Sequence, residues 1–374
     1  MASELFLPKD KLQSLIDALV AEGYRCIGPQ TKEGAIVYDE LSRVEQLPLG
    51  IRDIQTPGGY RLESMEDSRF FAWANGPQAL KPHVFAPKET LWRAKATDTG
   101  FRVEAVMPDV RPMAVIGVRA CDLAALRIQD KVFLQGNYVD PYYQMRRESL
   151  FLVAVNCTHP ATTCFCASTG DGPRAERDFD LVLTELEDGF VLGAASVRGE
   201  KLAQTLELRV AQQQEIQEVD QVLQEAANGQ LRSLPSRNLR KPLFDALQHE
   251  RWNDVAARCL ACGNCTLVCP TCFCHSEQDS PELGGAESVH ERLWDSCFST
   301  GHGYIHGMQI RPEKYHRYRQ WLTHKLGSWH DQFGTSGCVG CGRCITWCPA
   351  GIDITEEVAA LLEDQHGGEQ HGAG

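Results

Sequence analysis

Eight cysteines stand in two short stretches of the chain with identical spacing. Each stretch reads C-x2-C-x2-C-x3-C-P, and the two sets are Cys259, Cys262, Cys265 and Cys269, then Cys338, Cys341, Cys344 and Cys348. Three thiolates separated by two residues each can surround one iron–sulfur cubane, while the amides between them turn toward its sulfides. The repeat therefore predicts two [4Fe–4S] clusters in the C-terminal third of the chain.

The fourth cysteine of each stretch points away from the first three. In two-cluster bacterial ferredoxins, this cysteine ligates the cluster that the other stretch surrounds. The spacing thus predicts one cluster on Cys259, Cys262, Cys265 and Cys348, and a second on Cys338, Cys341, Cys344 and Cys269. Gly263 and Gly342 stand where each loop must turn tightly. Pro270 and Pro349 suit the first turn of a following helix.

Zinc sites and disulfides are the other common uses of grouped cysteines. A structural zinc site needs four ligands and has no use for eight. Disulfides belong to oxidising compartments and small secreted scaffolds. Neither alternative explains why the glycine and the proline recur together with the cysteines, so the repeat favours iron–sulfur clusters.

A third group of cysteines follows two apolar runs in the first half of the chain. Cys121 comes after residues 113–118, and the run at 150–155 is followed by Cys157, Cys164 and Cys166. If the two runs are neighbouring parallel strands, their carboxyl ends bring all four sulfurs to one edge of a sheet. Four thiolates suit either zinc or a [4Fe–4S] cluster. The company of two ferredoxin-type sites favours a third cluster; the alternatives are zinc, a redox pair at Cys164 and Cys166, and plain core thiols.

The two stretches are separated by an insert, residues 271–337. It holds three further cysteines, Cys272, Cys274 and Cys297. They suit an incomplete cubane or thiols packed beside the clusters, and the second interpretation is preferred because cysteine is so often buried. The segment 311–330 is basic and aromatic at helical spacing, which predicts an amphipathic helix with solvated charges.

Composition restricts the class of protein. The chain has 374 residues, of which 43% are hydrophobic and 23% charged, as in an ordinary soluble globular protein. A formal net charge of −13 argues against a nucleic-acid partner. The N-terminus has no signal-like pattern, and no apolar stretch is long enough for membrane insertion. We therefore expect a cytoplasmic protein.

The predicted fold class is α+β. A mixed α/β domain over residues 1–235 is followed by a mostly helical, two-cluster ferredoxin-like domain over residues 236–364, with 271–337 as its insert. A polar stretch at 233–237 is the predicted linker, and residues 365–374 are predicted to be disordered.

Within the first domain, periodicity predicts individual elements. The expected elements are helices at 11–22, 122–130 and 200–227, strands at 24–27, 113–118, 150–155 and 181–184, and a loop-rich segment at 60–110.

Taken together, several segments resemble a known family. They are Gly117-Val-Arg-Ala-Cys121-Asp-Leu, Val155-Asn-Cys157, Cys164-Phe-Cys166, the stretch from Cys259 to Cys274 and Trp294-Asp-Ser-Cys297-Phe. This order is similar to iron–sulfur β subunits of cytoplasmic bidirectional nickel–iron hydrogenases (sulfhydrogenases) and to the corresponding iron–sulfur subunit of anaerobic sulfite reductase. The resemblance covers about residues 110–360. It implies single-electron transfer between a flavin subunit that handles NAD(P)H and a catalytic redox subunit.

The chain has no glycine-rich dinucleotide fingerprint, because neither Gly193-Ala-Ala-Ser196 nor Pro57-Gly-Gly59 matches G-x-G-x-x-G. We therefore expect no NAD or flavin site here, and no catalytic residue. Two rival functions stay open at this point. One is a catalytic reductase with an open iron at the N-terminal cysteine site, and the other is a structural subunit with zinc at that site.

Overall fold

The computed structural model describes residues 4–66, 68–78 and 80–366. Its strands are β1 Leu5–Pro8, β2 Arg25–Lys32, β3 Ala35–Glu40, β4 Ile51–Thr56, β5 Gly59–Ser64, β6 Lys88–Thr97, β7 Gly100–Ala105, β8 Met113–Val118, β9 Leu150–Val155, β10 Leu181–Glu185, β11 Gly189–Ala194, β12 Arg209–Val210, β13 His275–Pro281, β14 Glu287–Trp294, β15 Tyr304–Ile305 and β16 Met308–Gln309.

Helices lie on both sides of the main sheet and make up most of the C-terminal region. They are α1 Leu12–Ala21, α2 Lys81–Val84, α3 Ala120–Phe133, α4 Pro141–Glu148, α5 Cys166–Thr169, α6 Val197–Ala203, α7 Gln213–Asn228, α8 Arg240–Asp245, α9 Arg251–Arg258, α10 Asn264–Leu267, α11 Lys314–Thr323, α12 Trp329–Phe333, α13 Arg343–Thr346 and α14 Ile354–His366. A π-helical turn, His324–Ser328, joins α11 to α12.

The main sheet has eight strands in the order β12-β1-β11-β10-β9-β8-β2-β3. Its centre, β10-β9-β8-β2, is parallel, and the flanking pairs are antiparallel. Strands β8 and β9 are buried along their whole length, as central parallel strands must be. The prediction that residues 113–118 and 150–155 form neighbouring parallel strands is confirmed.

Alternate residues of the central strands face opposite layers of helices. In β9, Phe151, Val153 and Val155 pack on the α1 side, while Leu150 and Leu152 pack on the α3 side. A β-bulge interrupts β8 at Gly117, whose φ of +91° suits glycine. The bulge ends the strand immediately before α3, which begins at Ala120 and carries Cys121 in its first turn.

A second sheet joins the two halves of the chain. Its order is β13-β14-β6-β7, so a hairpin from the insert pairs with a hairpin from the first domain. The expectation of a loop-rich segment at 60–110 is therefore wrong for β6 and β7. A mostly helical C-terminal domain is not confirmed either, because the insert contributes four strands. Residues of β7 and β13 are exposed throughout, so apolar alternation could not reveal them.

Two predicted helices differ from the structure. The segment 200–227 contains parts of two helices, α6 and α7, with the short edge strand β12 between them. The segment 311–330 is helical as predicted, but its charges are not all solvated, because Arg317 and Lys325 are buried. Their guanidinium and ammonium groups face the interior, where they find specific partners.

The remaining expectations concern punctuation and ends. Helices at 11–22 and 122–130 are confirmed as α1 and α3. Pro270 and Pro349 lie in turns and do not begin helices, because the chain needs a reversal at each point. Residues 233–237 form neither helix nor strand, while the domain boundary itself stays a prediction. Of the predicted tail, 367–374 lie outside the described residues. Across the described parts of the chain, no helix is long and apolar enough to cross a bilayer.

Candidate metal centres

Site 1 is the group formed by Cys259, Cys262, Cys265 and Cys348. The Cys265 thiol lies within electrostatic range of the other three, and all four border one cavity. Gly263 turns the loop with a φ of +78° and precedes α10. The Ala261 amide donates a hydrogen bond to the Cys259 sulfur at 3.3 Å, as amides do around cluster sulfurs.

Site 2 is the group formed by Cys338, Cys341, Cys344 and Cys269. The Cys344 thiol is within electrostatic range of the other three and also of Cys265 in site 1. Gly342 repeats the left-handed turn of the first stretch with a φ of +74°. The structure therefore brings together the two sets of four cysteines that the spacing pairs, with the fourth member of each set coming from the other stretch. Cluster ligation by these residues stays a prediction.

Site 3 is the group formed by Cys121, Cys157, Cys164 and Cys166. Cys121 follows β8 in the first turn of α3, and the other three follow β9. Cys164 is close to Cys166 and Cys157, and Cys121 is close to Cys166. Each of the four residues is less than a tenth exposed. The carboxyl edge of the parallel strands thus gathers thiols from three separate segments.

Site 3 contacts the loop of site 2 directly. The Phe165 amide donates to the Gly340 carbonyl at 2.8 Å, and a Cβ on Gly340 would lie 2.6 Å from the Cys166 nitrogen. Asn75 donates from Nδ2 to the Cys341 carbonyl at 2.9 Å. The Cys341 thiol is within electrostatic range of both Cys121 and Cys166.

A buried ion pair reinforces this junction. Arg343 donates to the Asp122 carboxylate at 2.7 and 3.1 Å, and both side chains are 1% exposed. Asp122 follows the site 3 ligand candidate Cys121, and Arg343 lies between two site 2 cysteines. Charge-assisted bidentate pairs of this kind fix geometry tightly, so the ion pair holds the two thiol groups in register.

Buried cations stand beside the thiols. Lys325 donates to the Cys269 sulfur at 3.3 Å, to the Thr271 hydroxyl at 3.0 Å and to the Gly337 carbonyl at 3.1 Å. Within the residues that the structure describes, no salt bridge to a carboxylate is found for this ammonium group. Burial lowers the pKa of Lys325, but the surrounding cysteines outweigh that effect and raise the pKa well above its usual range. A buried ammonium group with only sulfur as its anionic neighbour fits a thiolate-ligated centre.

The site 3 thiols resist ionisation without added positive charge. Burial raises the pKa of each of them, that of Cys166 to about 12. Arg343 opposes the effect at Cys121, and Arg119 opposes it at Cys157. Metal ligation requires thiolates, so bound iron would supply the missing charge in a pocket already lined by sulfur. The donor sets at all three sites fit iron–sulfur clusters.

No three His, Cys, Asp or Glu side chains in 4–66, 68–78 and 80–366 are arranged to hold a single metal ion. In a cubane, each thiolate binds a different iron, so its ligands stand further apart than those of one ion.

Comparison with known proteins decides the family. Residues 258–352 match the family model for a 4Fe-4S dicluster domain. Sulfhydrogenase 2 subunit beta of Pyrococcus furiosus is 35% identical over 256 residues, which is 68% of this chain and 74% of that protein. No solved structure matches.

The chain belongs to the sulfhydrogenase β subunit family. The match to the dicluster model makes it an iron–sulfur protein with a 4Fe–4S dicluster domain. The matched segment begins just before Cys259 and ends after Cys348, so it contains sites 1 and 2 completely. Site 3 lies outside that segment, and it is the fold of the first domain that assembles it.

Sequence reasoning missed the side chains that surround the sulfhydrogenase β subunit's thiols. Lys325, Arg343 and Asp122 are all charged, and charged residues are usually exposed, so their burial could not be predicted. Gln230 donates to the Cys166 sulfur at 3.3 Å and comes from a segment expected to precede a linker. The one available signal was position: Arg343 and Asp122 are immediate neighbours of motif cysteines.

Proposed function

We propose that this sulfhydrogenase β subunit relative is the electron-transfer subunit of a cytoplasmic redox complex. It passes single electrons between a flavin subunit that handles NAD(P)H and a catalytic subunit, either a hydrogenase or a sulfite or sulfur reductase. [4Fe–4S] clusters held at sites 1, 2 and 3 would supply one-electron carriers. The observation that carries the proposal is the contiguity of the three sites.

Contiguity rests on pairs of cysteines at each junction. Cys344 of site 2 and Cys265 of site 1 are electrostatic neighbours, and Cys341 of site 2 is a neighbour of Cys166 in site 3. The sites therefore form one row in the order 3, 2, 1. A structural zinc site or a catalytic pocket does not require such a row, whereas an electron relay does.

The row ends at the molecular surface on one side. Cys262 of site 1 is exposed, and the neighbouring Leu260 side chain is 66% exposed. The thiols of site 3 lie under the edge of the main sheet and are almost fully buried. A partner subunit can therefore approach site 1 closely, while site 3 is shielded from water.

The chain's own residues would set the properties of the relay. Lys325, Arg119 and Arg343 place buried positive charge beside the sulfurs, and backbone amides donate to Cys259 and Cys338. Charge, burial and hydrogen bonds to sulfur are the factors by which proteins tune cluster potentials.

Affinity purification of the tagged chain from its native cells under anaerobic conditions tests the proposal. We expect a flavin-containing NAD(P)H-binding subunit and a catalytic redox subunit to copurify, identified by mass spectrometry. A chain that purifies alone, with iron loaded and with its own turnover, would contradict the relay function.

Two assays address the rival functions. The isolated, iron-loaded chain should accept electrons from dithionite but should not reduce protons or sulfite. Turnover that a Cys166→Ser variant abolishes would favour a catalytic reductase at site 3. Zinc in the purified chain would favour the structural alternative.

A further inference from the structure

Three cysteines of the insert lie outside sites 1, 2 and 3. Two of them, Cys274 and Cys297, flank the hairpin of β13 and β14. Cys274 directly precedes β13, Cys297 comes three residues after β14, and His275 pairs with Trp294 at the hairpin's base. The Asp295 amide donates to the Cys274 carbonyl at 2.9 Å, which extends the pairing by one step. The hairpin register thus brings the two thiols together.

Cys274 takes part in a cysteine–histidine–aspartate arrangement. Its thiol hydrogen bonds with Cys297 and with the His302 ring. On its other side, His302 Nδ1 lies 3.0 Å from the Asp295 carboxylate. Asp295 is itself held by the Ser296 amide at 2.7 Å and by the Ser299 hydroxyl at 2.5 Å. A base oriented by a carboxylate beside a thiol is the arrangement that activates cysteine nucleophiles.

The charges around the pair distinguish its two thiols. The hydrogen bond from Cys297 and the His302 ring outweigh burial and lower the pKa of Cys274 to about 4. The same hydrogen bond, together with burial, raises the pKa of Cys297. Lys81, Lys325 and His324 also face the pair. One partner is therefore a thiolate and the other a protonated thiol.

The pair is more accessible than most of the cluster-site cysteines. Cys274 and Cys297 are half-buried, and the His302 side chain is 24% exposed. Reactive cysteines occupy such electropositive, partly exposed positions, whereas structural cysteines are buried and inert.

We propose that Cys274 and Cys297 form a redox-active dithiol that reacts with small molecules containing an S–S bond. The Cys274 thiolate attacks one sulfur of the substrate, forms a mixed disulfide, and releases the other sulfur as a thiolate that takes up a proton. Cys297 then attacks the Cys274 sulfur and releases the second half of the substrate as a thiol. The product is a Cys274–Cys297 disulfide, so the dithiol loses two electrons and two protons to the substrate. A dithiol reductant returns the pair to its starting state by the same exchange.

Trapping of the mixed disulfide tests the proposal in the full, iron-loaded chain. Wild type and Cys297→Ser are exposed anaerobically to 2-hydroxyethyl disulfide or to inorganic polysulfide, and peptides are analysed by mass spectrometry without reduction. We expect the variant to carry the hydroxyethylthio group or an added sulfur atom on Cys274. Wild type should instead yield the Cys274–Cys297 cross-linked peptide pair. The reagent that reacts faster identifies the substrate class.

Two control variants sharpen the result. His302→Gln should slow alkylation of Cys274 by iodoacetamide about tenfold, because the thiolate loses its imidazole partner. Cys26→Ser removes a buried thiol in β2, whose pKa burial raises to about 11, and should change nothing. An unmodified Cys274 in the Cys297→Ser variant, with no cross-linked pair in wild type, would overturn the proposal. Loss of iron from Cys274→Ser would also overturn it, because the thiol would then be a cluster ligand.

Discussion

Sites 1 and 2 and site 3 hold the same number of thiols but are built by different means. In sites 1 and 2, three of the four cysteines lie within a single loop, which glycines with positive φ bend around one point. In site 3, the cysteines come from three segments that meet only because β8 and β9 are parallel neighbours. The first arrangement is local in sequence, and the second depends on the whole sheet.

The difference decides what each region tolerates. A loop motif can close around a cluster with little help from the rest of the fold, as long as its spacing and glycines are kept. A sheet-edge site has no such independence, since packing of the first domain and the Arg343–Asp122 pair must place every thiol. We therefore expect site 3 to be lost separately from sites 1 and 2, and the following changes are designed to test that separation.

The largest effect is expected from Cys164→Ala. This variant should lose about four of roughly twelve irons per chain, which is one cubane, because a site 3 ligand is removed while the loops of sites 1 and 2 remain intact. Iron analysis and electron paramagnetic resonance of the dithionite-reduced chain measure the loss. Cys26→Ala, which removes a buried thiol outside all three sites, is the matched control. Collapse of all cluster signals in Cys164→Ala would show that the sites are not separable.

Breaking the buried ion pair at the junction should follow in magnitude. Arg343→Met leaves the Asp122 carboxylate buried without its partner, which we expect to lower the free energy of unfolding by about 3–5 kcal/mol. Urea unfolding followed by circular dichroism measures the change. The double variant Asp122→Leu, Arg343→Met removes both charges and should recover most of the loss. Equal stabilities for wild type and the single variant would deny the pair its role.

A glycine comparison tests the contact between the loop of site 2 and site 3. A Cβ at Gly342 would overlap the Thr163 carbonyl oxygen, whereas a Cβ at Gly334 would meet nothing within 4 Å. Their φ values are similar, +74° and +68°, so Gly334→Ala reports the backbone strain alone. We expect a loss of unfolding free energy of roughly 3 kcal/mol for Gly342→Ala and about 1 kcal/mol for Gly334→Ala. Equal losses in urea unfolding would contradict the close contact.

The smallest effect is a pH dependence confined to the first domain. Burial, aided by Arg25, lowers the pKa of His83 from 6.5 to about 4. Because the folded chain then binds fewer protons than the unfolded chain, this stabilisation is complete above pH 6.5 and is lost as the pH falls toward 4. We expect a loss of about 2 kcal/mol over that window.

His83→Gln isolates this contribution, since the variant should show a shallower decrease in stability between pH 6.5 and 4 than wild type. Cluster absorbance, recorded in parallel, should be the same in both proteins at each pH. An identical pH profile for the two proteins would mean that His83 is not held neutral in the fold.

The same contrast explains how much of the molecule could be predicted from sequence. The repeated loops were visible because their chemistry depends on spacing alone. Site 3 was accessible because 113–118 and 150–155 are short apolar runs, which predicts buried parallel strands whose ends must meet. In each of these cases, neighbours along the chain carry the information.

What sequence could not provide depends on distant partners. Strands β7 and β13 are exposed along their length, so they lack the apolar alternation that identifies strands. The helix predicted at 200–227 failed because edge strand β12 pairs with β1 at the other end of the chain. Lys325 is buried because it meets the Cys269 sulfur, and no local pattern marks a lysine for that role.

The number and kind of metals in the full chain test the central claim most directly. Anaerobically purified protein should contain about twelve irons, matching acid-labile sulfide and no zinc, with visible charge-transfer absorbance that dithionite bleaches. About eight irons with one zinc would contradict the relay through site 3 and would make that site structural. A colourless protein without a reducible paramagnet would contradict the whole account.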